Sequence, residues 1–231
     1  PAKIVVLSRD EAKQHNMRLE FLQKEVATDE AVYRNFANLL EFRIGDVRDY
    51  ADVSLALRDI DIVVNAVGGS TIIPKPSAPV DELTLDEWQQ MLHFNLTGTF
   101  LFCNAVAPVM KRQRGGKIVN ISSIAGRGVS PTSSSAYATA KGGIIAFTRK
   151  LSFELGPYGV TVNAIAPSLT LSPRLRPRWD RLSPEEQARE NARVPLGRVA
   201  VPEDQAKVIC FLASSDADFV NGVTIDVNGG Q

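Results

Sequence analysis

Lys117-Ile-Val-Asn-Ile-Ser-Ser123 decides the fold, because its apolar run is typical of a buried strand and Ser123 ends that run. Fourteen residues after Ser123 comes Tyr137-Ala-Thr-Ala-Lys141. Residues four apart share a helix face, so the Lys141 ammonium can lie beside the Tyr137 phenol and favour its ionised form. A free phenol has a pKa of about 10, so a neighbouring cation makes tyrosine a better acid or base. Taken alone, the pair fits an ordinary solvent-facing helix equally well.

Apolar runs of strand type alternate with helical segments along the chain. The pattern predicts strands at 4–7, 40–44, 61–65, 118–121, 160–165 and 223–227. It predicts helices at 11–39, from Thr84, at 137–155, from Ser183 and at 202–212. This alternation favours an α/β fold with a doubly wound, mostly parallel sheet and right-handed crossovers. We expect a single domain over residues 1–231.

Composition and charge narrow the classes of partner. The chain of 231 residues is 44% hydrophobic, which is enough for a substantial core. Its 26 basic and 26 acidic residues balance, so no overall field favours nucleic acid or an anionic membrane. No apolar run approaches the ~20 residues of a membrane helix, and the first residues lack a signal-peptide pattern. We therefore expect a soluble, cytoplasmic protein whose partners are small molecules or further copies of itself.

The cysteines and histidines predict neither a disulfide nor a metal site. Cys103 and Cys210 both lie in apolar helical stretches, which favours two buried, reduced thiols and a reducing compartment. His15 and His93 are far apart in sequence and have no metal-ligand spacing around them.

Several motifs fall where predicted strands end, which is where a doubly wound sheet binds its ligands. In order and spacing they resemble the short-chain dehydrogenase/reductase family from about residue 65 to the C-terminus. They are Asn65-Ala-Val-Gly-Gly69, Asn95, Ile121-Ser-Ser123, Tyr137-x-x-x-Lys141, Asn163-Ala-Ile-Ala-Pro167, Pro195-Leu-Gly-Arg198, Pro202-Glu-Asp204, Phe211-Leu-Ala-Ser214 and Asn228-Gly-Gly230. The resemblance implies a Rossmann-like sheet and an NADP(H)-dependent oxidoreductase that interconverts a carbonyl and an alcohol, as 3-oxoacyl reductases do.

The same resemblance implies chemistry for individual side chains. Tyr137 would protonate the carbonyl oxygen during reduction and accept the proton during oxidation, while Ser123 hydrogen-bonds that oxygen. Lys141 would lower the pKa of Tyr137 and hold the nicotinamide ribose. Asn95, within a kinked helix, would hold a water that relays protons. Ser122 is the weaker candidate serine, because Ser123 stands in the family's position.

The resemblance also implies NADP as the cofactor, with NAD as the alternative. Ser8 and Arg9 follow the first predicted strand, where a guanidinium would pair with a 2′-phosphate. Pro167-Ser168 stands where the family usually has Pro-Gly, and the residues after it would touch the carboxamide of the nicotinamide. The full set of expected cofactor contacts is Ser8, Arg9, Asp46, Val47, Asn65, Ala66, Gly68, Tyr137, Lys141, Pro167, Ser168, Leu169 and Thr170.

One expected element is missing from the sequence. A dinucleotide enzyme of this type needs a glycine-rich turn after its first strand to hold the pyrophosphate, yet the earliest glycine is Gly45. We therefore expect an N-terminally truncated fold that begins at the family's second strand. Either the strand at 4–7 moves into the vacant central position, or a partner chain supplies a strand, or the protein extends beyond this sequence. Residues 2–65 resemble the nucleotide-sugar 4,6-dehydratase branch of extended relatives, which predicts a chimeric junction near 66–69.

Two other functions stay open. The missing glycine turn fits a non-catalytic oligomeric scaffold, and residues 8–65 alone suggest sugar-nucleotide modification. Arginines at 174, 176, 178 and 181 lie in a predicted mobile substrate loop, about 168–198, where they fit a solvated basic loop or an anionic or carrier-linked substrate. The helices around 94–109 and 144–155 correspond to those that pair subunits in relatives, so the resemblance implies a homodimer or homotetramer.

Overall fold

The strands are parallel wherever the structure describes them. The computed structural model describes residues 60–128 and 130–231 in full, and residues 4–8 and 40–44 as strand backbone. β1 (Ile4–Ser8) pairs in parallel with β2 (Leu40–Ile44). A second parallel sheet contains, in order, β3 (Ile62–Asn65), β4 (Gly116–Ile121), β5 (Val160–Pro167) and β6 (Thr224–Val227). The predicted α/β fold with a mostly parallel sheet is confirmed.

β1 does not occupy the central position next to β3 in these sheets. Among the described residues, β1 pairs with β2, and β3 pairs with β4. Of the three alternatives for the missing first strand, the move of strand 4–7 into the central position is therefore not what these residues form.

Helices connect the strands of the larger sheet. They are α1 (Leu85–Leu92), α2 (Gly98–Gln113), α3 (Ser135–Leu155), α4 (Arg176–Trp179), α5 (Pro184–Ala192) and α6 (Pro202–Ala213). A π-helical turn, His93–Thr97, joins α1 to α2, and short 3₁₀ turns lie at Val80–Glu82, Ile124–Gly126, Gly156–Tyr158 and Ser215–Ala217. The capping boxes predicted at Thr84 and Ser183 are both present. Within the described ranges, no helix has the length and apolar character needed to span a bilayer. The helix predicted at 11–39 lies outside those ranges.

Helices cover both faces of the larger sheet. On one face, α2 and α3 pack against the sheet through a cluster that includes Val63, Cys103, Val106, Met110, Ile118, Leu151, Leu155, Val160 and Val162. On the other face, α6 and the turn after it pack through Leu212 and Ala217 against Val119 and Ile165. Successive strand residues point to opposite faces, which is why Ile118 and Val119 belong to different clusters. Burial on both faces explains the nearly continuous apolar strands of the sequence.

The two cysteines differ in burial. Both are free thiols, but Cys103 is buried in α2 whereas Cys210 is exposed on α6. On α6, the neighbouring Ile209 and Leu212 pack toward the sheet, which leaves Cys210 on the outer side of the helix. The prediction of two buried thiols is therefore wrong for Cys210.

Candidate active site

The loops that follow β3, β4, β5 and β6 leave the sheet at the same edge. The strands are parallel, and their register places their last residues side by side. The loops begin at Ala66, Ser122, Ser168 and Asn228. This carboxyl edge is where doubly wound sheets bind ligands.

The two serines after β4 have different surroundings. Ser122 is buried, and its hydroxyl donates a hydrogen bond to the backbone carbonyl of Lys141 at 2.8 Å. The Ser123 oxygen accepts a hydrogen bond from a backbone N–H two residues on, and its side chain lies beside the Tyr137 phenol. Gly126 brings this turn against α3 so closely that a Cβ on it would lie 2.5 Å from the carbonyl carbon of Lys141. Ser122 thus fastens β4 to α3, and Ser123 is the serine beside the tyrosine.

Tyr137 lies in the first turn of α3, after the capping residue Ser134. Its pKa is raised above the ordinary value because burial disfavours the phenolate, while Ser123 and the charge of Arg174 act in the opposite direction. The Lys141 Nζ lies 5.8 Å from the centre of the ring. The predicted lowering of the Tyr137 pKa by Lys141 is wrong in its net direction, because desolvation dominates and the cation that lowers this pKa is Arg174.

Lys141 is held at the end of β4. It is 3% exposed, and its Nζ donates a hydrogen bond to the Ile121 carbonyl at 2.9 Å. Burial lowers its pKa to about 8, so it releases a proton more readily than a surface lysine does. A group that can exchange protons near neutral pH therefore lies next to the Tyr137 ring.

Asn95 connects the α1–α2 pair to the loop after β3. It lies fully buried in the π-helical turn, which is the irregularity expected of a kinked helix. Its Oδ1 accepts a hydrogen bond from the Gly69 N–H at 2.9 Å, and its Nδ2 donates to the carbonyls of Gly69 at 3.2 Å and Met91 at 3.1 Å. Its side chain therefore fixes the position of Gly69, a contact that sequence reasoning did not foresee. The proton-relaying water stays a prediction.

Gly68 lies where Asn95 and Lys141 converge. A Cβ at this position would lie 2.8 Å from Asn95 Oδ1 and 2.8 Å from Lys141 Nζ, closer than real Cβ contacts come. A side chain here would displace the amide or the ammonium. The missing side chain leaves room for both groups beside the loop after β3.

The loop after β5 is tied to β6 and α6. The Thr170 hydroxyl donates to the Ser168 carbonyl at 3.1 Å, and the Gln205 Nε2 donates to Thr170 Oγ1 at 3.3 Å and to the Val227 carbonyl at 3.1 Å. Pro167 and Ser168 are partly buried at this edge, while Leu169 is 40% exposed. Gln205 was not among the predicted residues. A polar residue on the buried side of α6 is the signal that could have found it.

Arg174 reaches this edge from the segment before α4. Its Nη1 and Nη2 lie 3.1 and 3.3 Å from the position of a Cβ on Gly69. The sequence singled out four arginines in this segment and gave no reason to choose among them. The fold brings Arg174 to the catalytic tyrosine candidate.

The remaining predicted cofactor residues divide into two groups. Ala66 is exposed at the end of β3, whereas Asn65 is buried and its Nδ2 donates to Asn120 Oδ1 at 2.8 Å. Ser8 is described only as the last residue of β1, and Arg9, Asp46 and Val47 lie outside the described residues. In the ranges 60–128 and 130–231, no group of three or more His, Cys, Asp or Glu side chains is arranged to hold a metal ion.

The described side of the crevice fits the nicotinamide end of a dinucleotide. Gly68 keeps space beside the Lys141 ammonium, and the hydroxyls of Ser168 and Thr170 line the facing loop. These are the hydrogen-bonding groups that a ribose and a carboxamide require. The fit concerns this end alone, because the adenosine end falls on the undescribed Arg9, Asp46 and Val47.

Fold and site together define a class of protein, a Rossmann-like α/β protein with serine, tyrosine and lysine at the carboxyl edge of its parallel sheet. A sequence profile of enoyl-(acyl carrier protein) reductases matches residues 8–231. The chain belongs to the short-chain dehydrogenase/reductase family.

Similar proteins agree with this assignment. Protein FixR of Bradyrhizobium diazoefficiens is 39% identical over 178 residues, which is 77% of this chain but only 61% of FixR. A 3-oxoacyl-[acyl-carrier protein] reductase from Brucella melitensis, solved with bound NAD, is 33% identical with a TM-score of 0.82, covering 99% of this chain and 81% of that one. A gluconate 5-dehydrogenase from Burkholderia cenocepacia, solved with NADP and tartrate, is 29% identical with a TM-score of 0.80, covering 99% of this chain and 85% of that one.

These relatives confirm the family and the Rossmann-like fold. The comparisons give no support to a non-catalytic scaffold or to sugar-nucleotide modification. The junction near 66–69 and the dehydratase-like character of residues 2–65 stay predictions.

Proposed function

We propose that the protein is an NADP(H)-dependent oxidoreductase that interconverts a carbonyl and an alcohol, with Tyr137 as the acid and base. The observation that carries this proposal is that Tyr137 lies beside Ser123 and Lys141 at the carboxyl edge of the sheet, with the Lys141 ammonium against Gly68. The reductase and dehydrogenase named among the similar structures support the same class of chemistry.

Tyr137 supplies the proton for reduction. Burial raises its pKa, so the phenol is protonated at neutral pH, as a donor to a carbonyl oxygen must be. Ser123, beside the phenol, hydrogen-bonds the same oxygen. In the direction of oxidation Tyr137 accepts the proton, with the Lys141 ammonium 5.8 Å from the centre of its ring. A bound nicotinamide supplies or accepts the hydride.

The chain's own residues would hold that nicotinamide on two sides. Lys141 and the backbone at Gly68 take the ribose side, and Pro167, Ser168, Leu169 and Thr170 take the carboxamide side. Asn65 and Ala66 complete the floor at the end of β3. The preference for NADP rests on Ser8 and Arg9, with Asp46 and Val47 beside the adenine.

We also propose an oligomeric state, a domain organisation and a cellular location for the protein. Exposed aromatic side chains on α2 and α3 support a homodimer or homotetramer, since Phe100 is 45% exposed and Phe153 is 78% exposed. We further propose one domain over residues 1–231, a mobile substrate loop at about 168–198, and a cytoplasmic location.

Calorimetric titration tests cofactor binding, and an assay of NADPH consumption tests the chemistry. NADPH should bind more tightly than NADH, and Arg9→Ala should reduce that difference. NADPH should be consumed with ethyl acetoacetate, a simple 3-oxo ester. No heat at millimolar NADPH or NADH, together with no consumption of either, would overturn the proposal.

A further inference from the structure

We infer that Arg174 determines substrate specificity by binding a carboxylate that the substrate carries within a few bonds of its carbonyl. The inference rests on the proposed oxidoreductase function and adds a substrate class to it, namely small oxo acids and the corresponding hydroxy acids.

The Arg174 guanidinium lies against the loop after β3. Its two terminal nitrogens lie against Gly69, at 3.1 and 3.3 Å from where a Cβ would be. Asn95 holds both backbone polar groups of Gly69, so the guanidinium lies on a fixed surface. Its charge also acts on the Tyr137 phenol. An anion on this guanidinium would therefore lie near the group that protonates the carbonyl.

The guanidinium groups of Arg176 and Arg181 have partners within the segment, and that of Arg174 has none there. Arg176 pairs with Asp180 at 3.1 Å, and Arg181 donates from Nε to the Pro177 carbonyl at 2.9 Å. Arg174 takes part in none of the ion pairs formed by residues 60–128 and 130–231. Its fork of N–H groups is thus not used by an acidic side chain of this part of the chain.

The chemistry of a guanidinium suits a carboxylate ligand. A guanidinium binds a carboxylate through two parallel hydrogen bonds, which fix orientation as well as add affinity. With the carboxylate on Arg174 and the carbonyl at Tyr137 and Ser123, a small substrate is held at two points. The phosphates of a coenzyme A thioester lie at the far end of a long arm. A guanidinium this close to the phenol therefore favours a free acid.

The test uses the substitutions Arg174→Gln and Arg178→Gln. Arg178 is the matched control, because it is an exposed arginine of the same segment, as Arg174 is. The substrates are acetoacetate, its neutral analogues acetoacetamide and ethyl acetoacetate, and acetoacetyl-CoA. All are measured with NADPH as steady-state rates, and acetoacetate is also measured as an inhibitor of ethyl acetoacetate reduction.

Loss of one charge-assisted contact predicts that Arg174→Gln lowers kcat/KM for acetoacetate, or weakens its inhibition, by roughly 10- to 100-fold. At neutral pH, where the phenol is protonated with or without Arg174, the same variant should change kcat/KM for reduction of ethyl acetoacetate and acetoacetamide by less than about threefold, and Arg178→Gln should change none of these values. The KM for NADPH should not move.

Three results for the Arg174→Gln variant would overturn the inference. They are equal losses for acid and ester, a loss confined to acetoacetyl-CoA, and a raised KM for NADPH, which would assign the guanidinium to the cofactor. Wild-type reduction of the neutral ester without any preference for the acid would refute this inference alone. No reduction of any substrate would refute the proposed function itself.

Discussion

Lys141 is buried at a position where the charged form is costly. Its pKa is lowered to about 8 from the ordinary 10.5, so between these values the folded chain binds fewer protons than the unfolded chain. Its contribution to stability must therefore rise with pH across that window. The free energy of unfolding of the wild type, minus that of Lys141→Met, should increase from pH 8 to 10.5, by up to about 3 kcal/mol.

Urea denaturation at a series of pH values measures this difference. Lys150→Met is the control, because the Lys150 side chain is 67% exposed. A difference between wild type and Lys141→Met that stays flat or falls with pH would show that Lys141 is not desolvated as described.

Arg174 and Tyr137 are coupled electrostatically. Arg174 is one of two groups that lower the pKa of Tyr137, so Arg174→Gln should raise that pKa further. Oxidation needs the phenolate as base. The acidic limb of the pH–rate profile for oxidation should therefore move to higher pH in this variant. The pH profile of kcat/KM for a neutral alcohol, ethyl 3-hydroxybutyrate, measures the shift. An unchanged profile, identical to that of Arg178→Gln, would place Arg174 away from the phenol.

The loop between β3 and α1 depends on Gly68 having no side chain. Gly68→Ala would push a methyl group into Asn95 Oδ1 and Lys141 Nζ. We expect a loss of at least about tenfold in kcat/KM with a retained circular dichroism spectrum, since misplacing a catalytic group by about 1 Å can cost 100-fold. Gly128→Ala is the control, because nothing lies within 4 Å of a Cβ there. Full activity in Gly68→Ala would contradict the described convergence.

Three elements are joined by one chain of buried hydrogen bonds. Asn65 in β3 donates to Asn120 Oδ1 in β4 at 2.8 Å, and Asn120 Nδ2 donates to Thr148 Oγ1 in α3 at 2.9 Å. Asn120→Leu keeps the volume but removes both hydrogen bonds and leaves the Asn65 amide and the Thr148 hydroxyl without this partner, so the free energy of unfolding should fall by about 2–4 kcal/mol. Denaturant unfolding measures the loss. Asn104→Leu, at an exposed site on α2, should change stability by less than about 0.5 kcal/mol. Equal effects of the two substitutions would contradict the buried network.

Across the described residues, periodicity and turn chemistry sufficed to predict the strands of the larger sheet and most of its helices, but not α4, which lies inside the loop predicted at about 168–198. The capping boxes at Thr84 and Ser183 and the strand end at Asn65 depend on neighbouring residues in sequence, so they could be recognised there, whereas the strand predicted at 160–165 continues to Pro167. The elevated pKa of Tyr137 could not, because it depends on how deeply the fold buries the ring.

Other features depended on the tertiary course of the chain. The phase of α6 leaves Cys210 exposed, and the same helix carries Gln205 to Thr170. The path of the segment before α4 selects Arg174 among its neighbours. None of these follows from local sequence patterns, because each requires two distant segments to be placed together.

We propose above all that Tyr137 transfers the proton in a nicotinamide-dependent carbonyl reduction. The most direct test is the rate of NADPH-dependent reduction of acetoacetate and ethyl acetoacetate by the wild type and by Tyr137→Phe, with calorimetric titration of NADPH into both. We expect Tyr137→Phe to lose roughly 100- to 10,000-fold in kcat, while its affinity for NADPH changes by less than about threefold. A Tyr137→Phe enzyme that keeps its rate within twofold of the wild type would contradict it.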